Sequence, residues 1–310
     1  MMPDWKEVEF KPKFEAQYRW LLGDRYEEFR KYSLAWLRKC IRVNTLKISV
    51  PELVSRLEKD WKLEPVPWCK EGFWIKGART DLGNLIEHTL GYIYVQESAS
   101  MIPPVVMGIE PGDMVLDMCA APGSKTSQIA QYLENKGLIV ANDVSGKRLA
   151  PLGINLQRCG VTTSVITLMQ GWRFKGFEFD KVLVDAACSG TGTIRKSLRT
   201  IRDWNPNSCK IMAGQQKKLL NTAFENVKVG GVVVYSTCTM EPDEDEAIIS
   251  WILENRDDVV VEDIELDIKR SEPVMSFEGK EYHKDVAKCL RIWPMDNDTE
   301  GFFVCKMRKV

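Results

Sequence analysis

The stretch VLDMCAAPGSKTSQIA, residues 115–130, decides the fold. An apolar run ends at Asp117, a loop of small residues follows, and Gly123 stands just before a helix that is predicted to begin at Ser124. Small residues let a ligand approach the backbone, and the free N–H groups of a helix start attract a carboxylate or phosphate. A plain strand-to-helix turn would look the same, so this stretch alone leaves both readings open.

Outward from this stretch, strand and helix patterns alternate from about residue 94 onward. Strands are predicted at 114–117, 138–142, 164–168, 181–184, 231–235, 290–293 and 302–306, and helices at 124–133, 145–156, 208–227 and 244–255. This alternation predicts an α/β fold whose parallel sheet carries helices on both faces and binds its ligands at the carboxyl ends of the strands. Residues 1–95 instead predict a smaller α+β domain, which leaves 96–310 for the sheet domain.

Within the first domain, one helix is predicted across DRYEEFRKYSLAWLRKC, residues 24–40. Its apolar positions Tyr26, Phe29, Trp36 and Leu37 have helical spacing.

Composition restricts the class of protein. The chain has 310 residues with 43 basic and 44 acidic side chains, so no global charge points to nucleic acid, although residues 1–50 hold eleven basic against seven acidic residues. No apolar run reaches about 18 residues, and the first residues are charged, so we expect neither a membrane span nor a signal peptide. Nine cysteines without a CxxC pair, and only two histidines, predict a reducing cytoplasm and no metal site.

Three further strand ends carry candidate functional residues. Asp143 lies 26 positions after Asp117, where an acid typically binds the ribose of a nucleotide, although it could also be a helix N-cap. Cys188, in DKVLVDAACSGTG, and Cys238, in GGVVVYSTCTMEPDEDE, each follow an apolar strand. Because thiolates are good nucleophiles, we treat these two as a reactive pair. The remaining cysteines, apart from Cys119 in the small-residue loop, are assigned to the core: Cys40, Cys69, Cys159, Cys209, Cys289 and Cys305.

Taken in order, the blocks DMCAAPGSKT (117–126), ND (142–143), DAACSG (185–190) and YSTC (235–238) resemble those of the S-adenosylmethionine-dependent RNA 5-methylcytosine methyltransferases of the nucleolar-antigen, or Sun, type. The pieces IRVNTLK, YVQESASMIPP and LRIWPMDNDTEGFF resemble other blocks of that family, and the compact archaeal-type members are the most similar. The resemblance implies a Rossmann-like class I methyltransferase domain after an N-terminal RNA-binding domain.

The resemblance also implies a mechanism. Cys238 would attack carbon 6 of a cytosine so that carbon 5 can accept the methyl group, which is covalent catalysis. Asp185 would bind the base and share a proton at ring nitrogen 3, and Cys188 would help to remove the proton from carbon 5. The target cytosine would be flipped out of folded RNA or single-stranded.

The cofactor implied is S-adenosylmethionine. The residues that match its binding blocks are Cys119, Ala120, Ala121, Pro122, Gly123, Lys125, Asp143, Arg148, Gln170 and Asp185.

The partner implied is RNA, with tRNA favoured over rRNA, and the enzyme is expected to be a monomer. The N-terminal cations expected to dock the RNA backbone are Lys11, Lys13, Arg38, Lys39, Arg42 and Lys47. Of the tryptophans concentrated in the N-terminal part, most are expected in the core, and some could stack on unpaired bases.

Three positions depart from the family pattern. Ala187 replaces a proline before the first cysteine, Gln170 replaces an acid expected to bind the adenine amino group, and Met295 replaces a histidine. These departures motivate two alternatives to a tRNA enzyme: an rRNA methyltransferase, and a weakly catalytic relative that binds RNA as an assembly factor. A dehydrogenase on a dinucleotide fold lacks GxGxxG and would not explain two thiols at strand ends.

Overall fold

The computed structural model describes residues 1–2, 5 and 7–310, so Pro3, Asp4 and Lys6 of the predicted N-terminal domain lie outside the described residues. The helices are α1 (Pro12–Leu22), α2 (Tyr26–Ser33), α3 (Val50–Leu57), α4 (Ile86–Thr89), α5 (Ile102–Val106), α6 (Ser124–Tyr132), α7 (Gly146–Cys159), α8 (Arg199–Asp203), α9 (Pro206–Asn226), α10 (Glu246–Asn255) and α11 (Pro294–Asn297). The strands are β1 (Cys40–Val43), β2 (Trp61–Val66), β3 (Cys69–Gly77), β4 (Ile93–Val95), β5 (Met114–Asp117), β6 (Leu138–Asp143), β7 (Ser164–Leu168), β8 (Phe179–Asp185), β9 (Val227–Thr237), β10 (Val259–Glu262), β11 (Ser276–Phe277), β12 (Lys280–Glu281), β13 (Leu290–Ile292) and β14 (Phe302–Lys309).

The second part of the chain is built on one large sheet in the order β10-β14-β9-β8-β5-β6-β7, with β13 paired to β14. The strands from β9 to β7 pair in parallel, and β14 runs antiparallel to β9. This is the sheet of a class I methyltransferase, and the predicted fold class is confirmed.

Helices cover both faces of this sheet because its buried strands are apolar on both sides. Val115 and Leu183 point to the face that α6 and α7 cover, whereas Leu116 and Val182 point to the face that α9 and α10 cover. The carboxyl ends of β5, β6, β8 and β9 therefore meet at one edge of the sheet.

The N-terminal part combines a four-stranded antiparallel sheet, in the order β2-β3-β1-β4, with the helices α1 and α2. The helix α1 buries Phe14 and Tyr18 against the second part of the chain, in one cluster with Trp204 and Trp293. The division at residue 95 stays a prediction, and residues on both sides of it share this apolar cluster.

Two expectations for the N-terminal part are wrong. The helix predicted over residues 24–40 ends at Ser33, and Trp36 is 64% exposed. Arg42, which was expected to contact RNA, is fully buried in β1, where its guanidinium donates to Gln96, to the carbonyl of Ser124 (2.8 Å) and to Ser127 (2.8 Å). A central strand of a small sheet that packs on the second part leaves no solvent face for that cation.

Other expectations concern the tryptophans, the cysteines, membrane-spanning helices and metal sites. Trp61, Trp68 and Trp74 are buried as predicted, whereas Trp20 and Trp36 are exposed. All nine cysteines are free, and the six assigned to the core are buried. Among the described residues, no helix is long and apolar enough to cross a membrane, and no His, Cys, Asp or Glu cluster has the arrangement of a metal site.

Candidate active site

Two thiols meet at the carboxyl edge of the sheet. The parallel register of β8 and β9 pairs Asp185 with Ser236, so the loops that follow begin side by side. Cys188 comes three residues after Asp185 and Cys238 two residues after Ser236, and their Sγ atoms lie 3.5 Å apart. The structure thus brings together the pair that the sequence singled out.

A half-buried ion pair lies at the carboxyl edge of the sheet, beside the loop that leads to Cys188. Lys125, in the first turn of α6, places its Nζ 2.7 Å from Oδ2 of Asp185. The other carboxylate oxygen, Oδ1, accepts a hydrogen bond from the Ser236 hydroxyl at 2.7 Å. These contacts orient the carboxylate and keep a proton donor beside it, because an ammonium group donates but cannot accept.

The surroundings of Cys188 favour its protonated form. The hydrogen bond to Cys238 and then burial raise the pKa of the Cys188 thiol well above its usual value. Cys188 is therefore a protonated thiol at neutral pH. Cys119, which lies at the end of β5, is held in the same state because burial raises its pKa to about 12.

A network of buried polar groups holds the loop that carries Cys188. The Ser189 N–H donates to both carboxylate oxygens of Glu244, at 3.3 and 3.0 Å. Gln216, on α9, donates from Nε2 to Glu244 at 2.9 Å and to the carbonyl of Ala187 at 3.0 Å. Glu244 and Gln216 are fully buried, and we call these two residues the clamp. Sequence reasoning missed the clamp, and its only signal was an acid placed between Cys238 and α10.

A cavity of about 300 Å³ opens beside the thiols. Six of the predicted cofactor residues line it: Cys119, Ala121, Asp143, Arg148, Gln170 and Asp185. Cys188 and Cys238 line the same cavity, so the predicted cofactor site and the thiols share one space. Ala120, Pro122, Gly123 and Lys125 lie outside this lining, and Lys125 is directed to Asp185 instead.

The groups around the cavity fit S-adenosylmethionine. The Asp143 carboxylate accepts from the N–H groups of Ala121 (3.3 Å) and Ser145 (3.0 Å), and it lies 3.3 Å from the Arg148 guanidinium. A carboxylate suits a ribose diol, and a cation near a helix start suits an amino-acid carboxylate. Gln170 adds an amide that can accept from an amino group, and Trp172 and Leu219 supply apolar surface.

The three departures from the family pattern have different surroundings. The carbonyl of Ala187 is held by Gln216, and Gln170 lines the cavity. Met295 is buried in the aromatic cluster under α1 and α2. None of the three displaces a thiol or Asp185.

Comparison with known proteins gives the relatives of this chain. Residues 104–308 match the model of the 16S rRNA methyltransferase RsmB/F family, and residues 10–98 match the N-terminal domain of 16S rRNA methyltransferase RsmF. A tRNA (cytosine(49)-C(5))-methyltransferase of Pyrococcus abyssi is 46% identical over 309 residues, which cover 99% of each chain. Ribosomal RNA small subunit methyltransferase F of Erwinia tasmaniensis is 40% identical over 98% of this chain, which spans 64% of that enzyme.

Solved structures agree with these relatives. The crystal structure of a methyltransferase homolog protein from Pyrococcus horikoshii superposes with a TM-score of 0.88 at 36% identity and full coverage of both chains. The fold and the family make S-adenosylmethionine the cofactor, as the sequence predicted. The chain belongs to the RsmB/F family of RNA cytosine-C5 methyltransferases.

Proposed function

We propose that this enzyme methylates carbon 5 of a cytosine in tRNA through a transient bond between the base and Cys238. The observation that carries the proposal is the 3.5 Å separation of the Cys188 and Cys238 sulfurs beside the Lys125–Asp185 pair. A cytosine that entered the cofactor cavity would meet both thiols and Asp185, which line it together.

The residues divide the work as follows. The thiolate of Cys238 forms a bond to carbon 6, and Asp185, supported by Lys125, shares a proton at ring nitrogen 3 as electrons move into the ring. Bound S-adenosylmethionine supplies an electrophilic methyl group to carbon 5. The thiolate form of Cys188 then takes the proton from carbon 5, the double bond between carbons 5 and 6 re-forms, and the bond from carbon 6 to the Cys238 sulfur breaks.

The raised pKa of Cys188 supports this division of roles. A thiol that is protonated before the reaction is not a nucleophile at that stage. Once the Cys238 sulfur is bonded to carbon 6, the hydrogen bond between the two sulfurs is lost, and that contribution to the raised pKa of Cys188 disappears. Cys188, which is only partly buried, then releases its proton to solvent and acts as the base, and ring nitrogen 3 returns its proton to Asp185 as the bond to Cys238 breaks.

The choice of tRNA rests on the Pyrococcus abyssi relative, which matches this chain from end to end. The rRNA alternative rests on the family description and on relatives of which this chain spans about 60% of the length. We further propose a monomer in the cytoplasm, because nine free thiols suit a reducing compartment.

Methyl transfer from tritiated S-adenosylmethionine into bulk tRNA and, separately, into rRNA tests the proposal. Cys238→Ala should abolish transfer and retain cofactor binding, and Cys188→Ala should accumulate a protein–RNA adduct that survives denaturing electrophoresis. Cys159→Ala removes a buried thiol outside the cavity and serves as the control. Full activity of Cys238→Ala would disprove the covalent step. RNA binding without label in either RNA would favour the assembly-factor alternative.

A further inference from the structure

The two sulfurs of the active site are close enough to react with each other. The Sγ atoms of Cys188 and Cys238 lie 3.5 Å apart. A disulfide bond is about 2.05 Å long, so the sulfurs would have to approach each other by about 1.5 Å to form one. If the two share this approach equally, each sulfur moves by about 0.7 Å, which a change in its χ1 angle supplies.

The loops that carry the thiols are joined by hydrogen bonds on both sides of the pair. Before the thiols, the Ala186 N–H donates to the carbonyl of Ser236 at 3.0 Å. Directly after them, the hydroxyls of Ser189 and Thr239 lie 2.7 Å apart. These contacts hold the two backbones side by side, so the thiols can bond without a rearrangement of either strand.

A small oxidant can reach this pair. Both thiols are partly exposed, and both line the cavity of about 300 Å³ that opens beside them. The thiols of Cys289 and Cys305 are also within hydrogen-bonding distance of each other, but these two residues are fully buried. Of these two pairs, the active-site pair is therefore the one that meets molecules dissolved in water.

We propose that Cys188 and Cys238 are a site of reversible oxidation, where a hydroperoxide converts the two thiols into a disulfide and so stops methyl transfer. The disulfide would occupy both the sulfur that attacks carbon 6 and the sulfur that takes the proton from carbon 5. The formation of the bond is independent of the proposed function, whereas its effect on methyl transfer rests on that function.

The oxidation takes two steps. One sulfur, as its thiolate, attacks an oxygen of hydrogen peroxide, so that an S–O bond forms, the O–O bond breaks, and the departing hydroxide takes up the proton that this thiol released. The second sulfur then attacks the sulfenic acid, so that the S–S bond forms, the S–O bond breaks, and water leaves with the proton of the second thiol. Two electrons from the sulfurs thus reduce one peroxide to two water molecules.

The second thiol also protects the first. A sulfenic acid without a neighbouring thiol is oxidised further to a sulfinic acid, which thiol reductants do not reverse. A disulfide, in contrast, is reduced again by thiol exchange. The 3.5 Å contact would therefore let the enzyme recover after an exposure to peroxide.

The test treats the wild-type enzyme with a small excess of hydrogen peroxide and then removes the peroxide with catalase. The intact mass should fall by two hydrogen atoms, and a peptide map without reductant should show the peptides of Cys188 and Cys238 joined. Methyl transfer should be lost and should return after treatment with dithiothreitol. Affinity for S-adenosylhomocysteine should stay unchanged, because Asp143 and Arg148 are not modified. The control Cys159→Ala removes a buried thiol outside the cavity and should give the wild-type result.

The variant Cys188→Ala tests the protective role of the second thiol. It retains Cys238, so its readout is the protein–RNA adduct on a denaturing gel. After a longer exposure to peroxide, dithiothreitol should restore methyl transfer in the wild type but not adduct formation in Cys188→Ala. Equal recovery of the two proteins would contradict the protection.

An unchanged mass, a disulfide that joins any other cysteines, or full methyl transfer by the oxidised enzyme would overturn the inference. If the untreated wild type transferred no methyl groups, the proposed function would fail instead. The intact mass and the peptide map would then still decide whether the disulfide forms.

Discussion

The clamp offers a demanding test of how this site works. Glu244 accepts three hydrogen bonds, two from the Ser189 N–H and one from Gln216 Nε2. In Glu244→Gln the side chain keeps its shape, but its single oxygen can accept from only one side while its NH₂ group faces the other donor. One buried donor is left without a partner, at a cost of about 1–3 kcal/mol.

Part of that cost is offset. Burial raises the pKa of Glu244 because the ionised form is disfavoured there, and the neutral amide removes that penalty. We therefore expect the free energy of unfolding to fall by about 1–2 kcal/mol, measured by urea denaturation.

The kinetic consequence should appear in one step. The hydrogen bonds of the clamp go to Ala187 and Ser189, the two neighbours of Cys188, so Glu244→Gln should slow the release of the covalent adduct more than its formation. If the lost contact acts fully in that step, release slows by about 5- to 30-fold. In the steady state, more enzyme should then migrate with radiolabelled RNA on a denaturing gel, while methyl transfer in a single turnover stays near the wild-type rate.

Glu254→Gln is the matched control, because it makes the same change on an exposed carboxylate of α10. It should alter neither stability nor adduct. If Glu244→Gln slowed adduct formation and release equally, or left both unchanged despite the loss of stability, the clamp would be a support of the fold without a specific effect on Cys188.

Three further perturbations test other parts of the structure. Arg42→Met should lower the free energy of unfolding by about 3–5 kcal/mol in urea titrations, because several buried acceptors lose a charged donor. It should leave the salt dependence of RNA binding unchanged. A stable variant with weakened RNA binding would contradict the structural role of the buried Arg42. Asp143→Ala should weaken S-adenosylhomocysteine binding by about 10- to 100-fold in calorimetry without changing RNA affinity; unchanged cofactor affinity would remove Asp143 from the site. Burial, then repulsion from Glu97, raises the pKa of Glu300 to about 7, so the folded state binds more protons than the unfolded state above the ordinary value of 4.5. Stability should therefore fall as pH rises from about 4.5 to 7, and Glu300→Gln should flatten this decline in thermal melts taken across that range.

The strands of the large sheet were the most predictable elements. Residues 114–117 and 164–168 are strands as predicted, because short apolar runs with turn residues on both sides leave little ambiguity. β9 begins at Val227 and not at 231, since the pairing of β8 and β9 shifts register and so accommodates Gly230, whose φ is +82°. A pair of glycines looks like the end of a strand, and only the neighbouring strand shows that the ladder continues through it.

The errors in the N-terminal part have a common physical origin. Arg42 and Trp36 were interpreted from charge and apolar spacing along the chain, which do not report which face packs on the second part of the protein. β1 lies between β3 and β4, so Arg42 has no access to solvent, while the end of α2 at Ser33 leaves Trp36 on the surface. The local pattern predicted an exposed cation at position 42 and an apolar helix position at 36. Tertiary packing instead buries Arg42 and exposes Trp36.

In the active site, too, the sequence shows which residue follows each strand but does not show which strands are neighbours. That Cys188 and Cys238 each follow a strand is visible in the sequence, but their 3.5 Å contact needs β8 and β9 to be neighbours in parallel register. The long helix α9 provides that adjacency, because it carries the chain from the end of β8 back to the start of β9 in a single crossover. The same helix contributes Gln216 to the clamp, so one connection both aligns the two strands and holds the loop of the second thiol. A change in α9 that shifted Gln216 by one turn would keep the sheet and its cofactor cavity. It would remove the hydrogen bonds that hold the loop of Cys188, so the step assigned to Cys188 would be impaired while the attack by Cys238 continued.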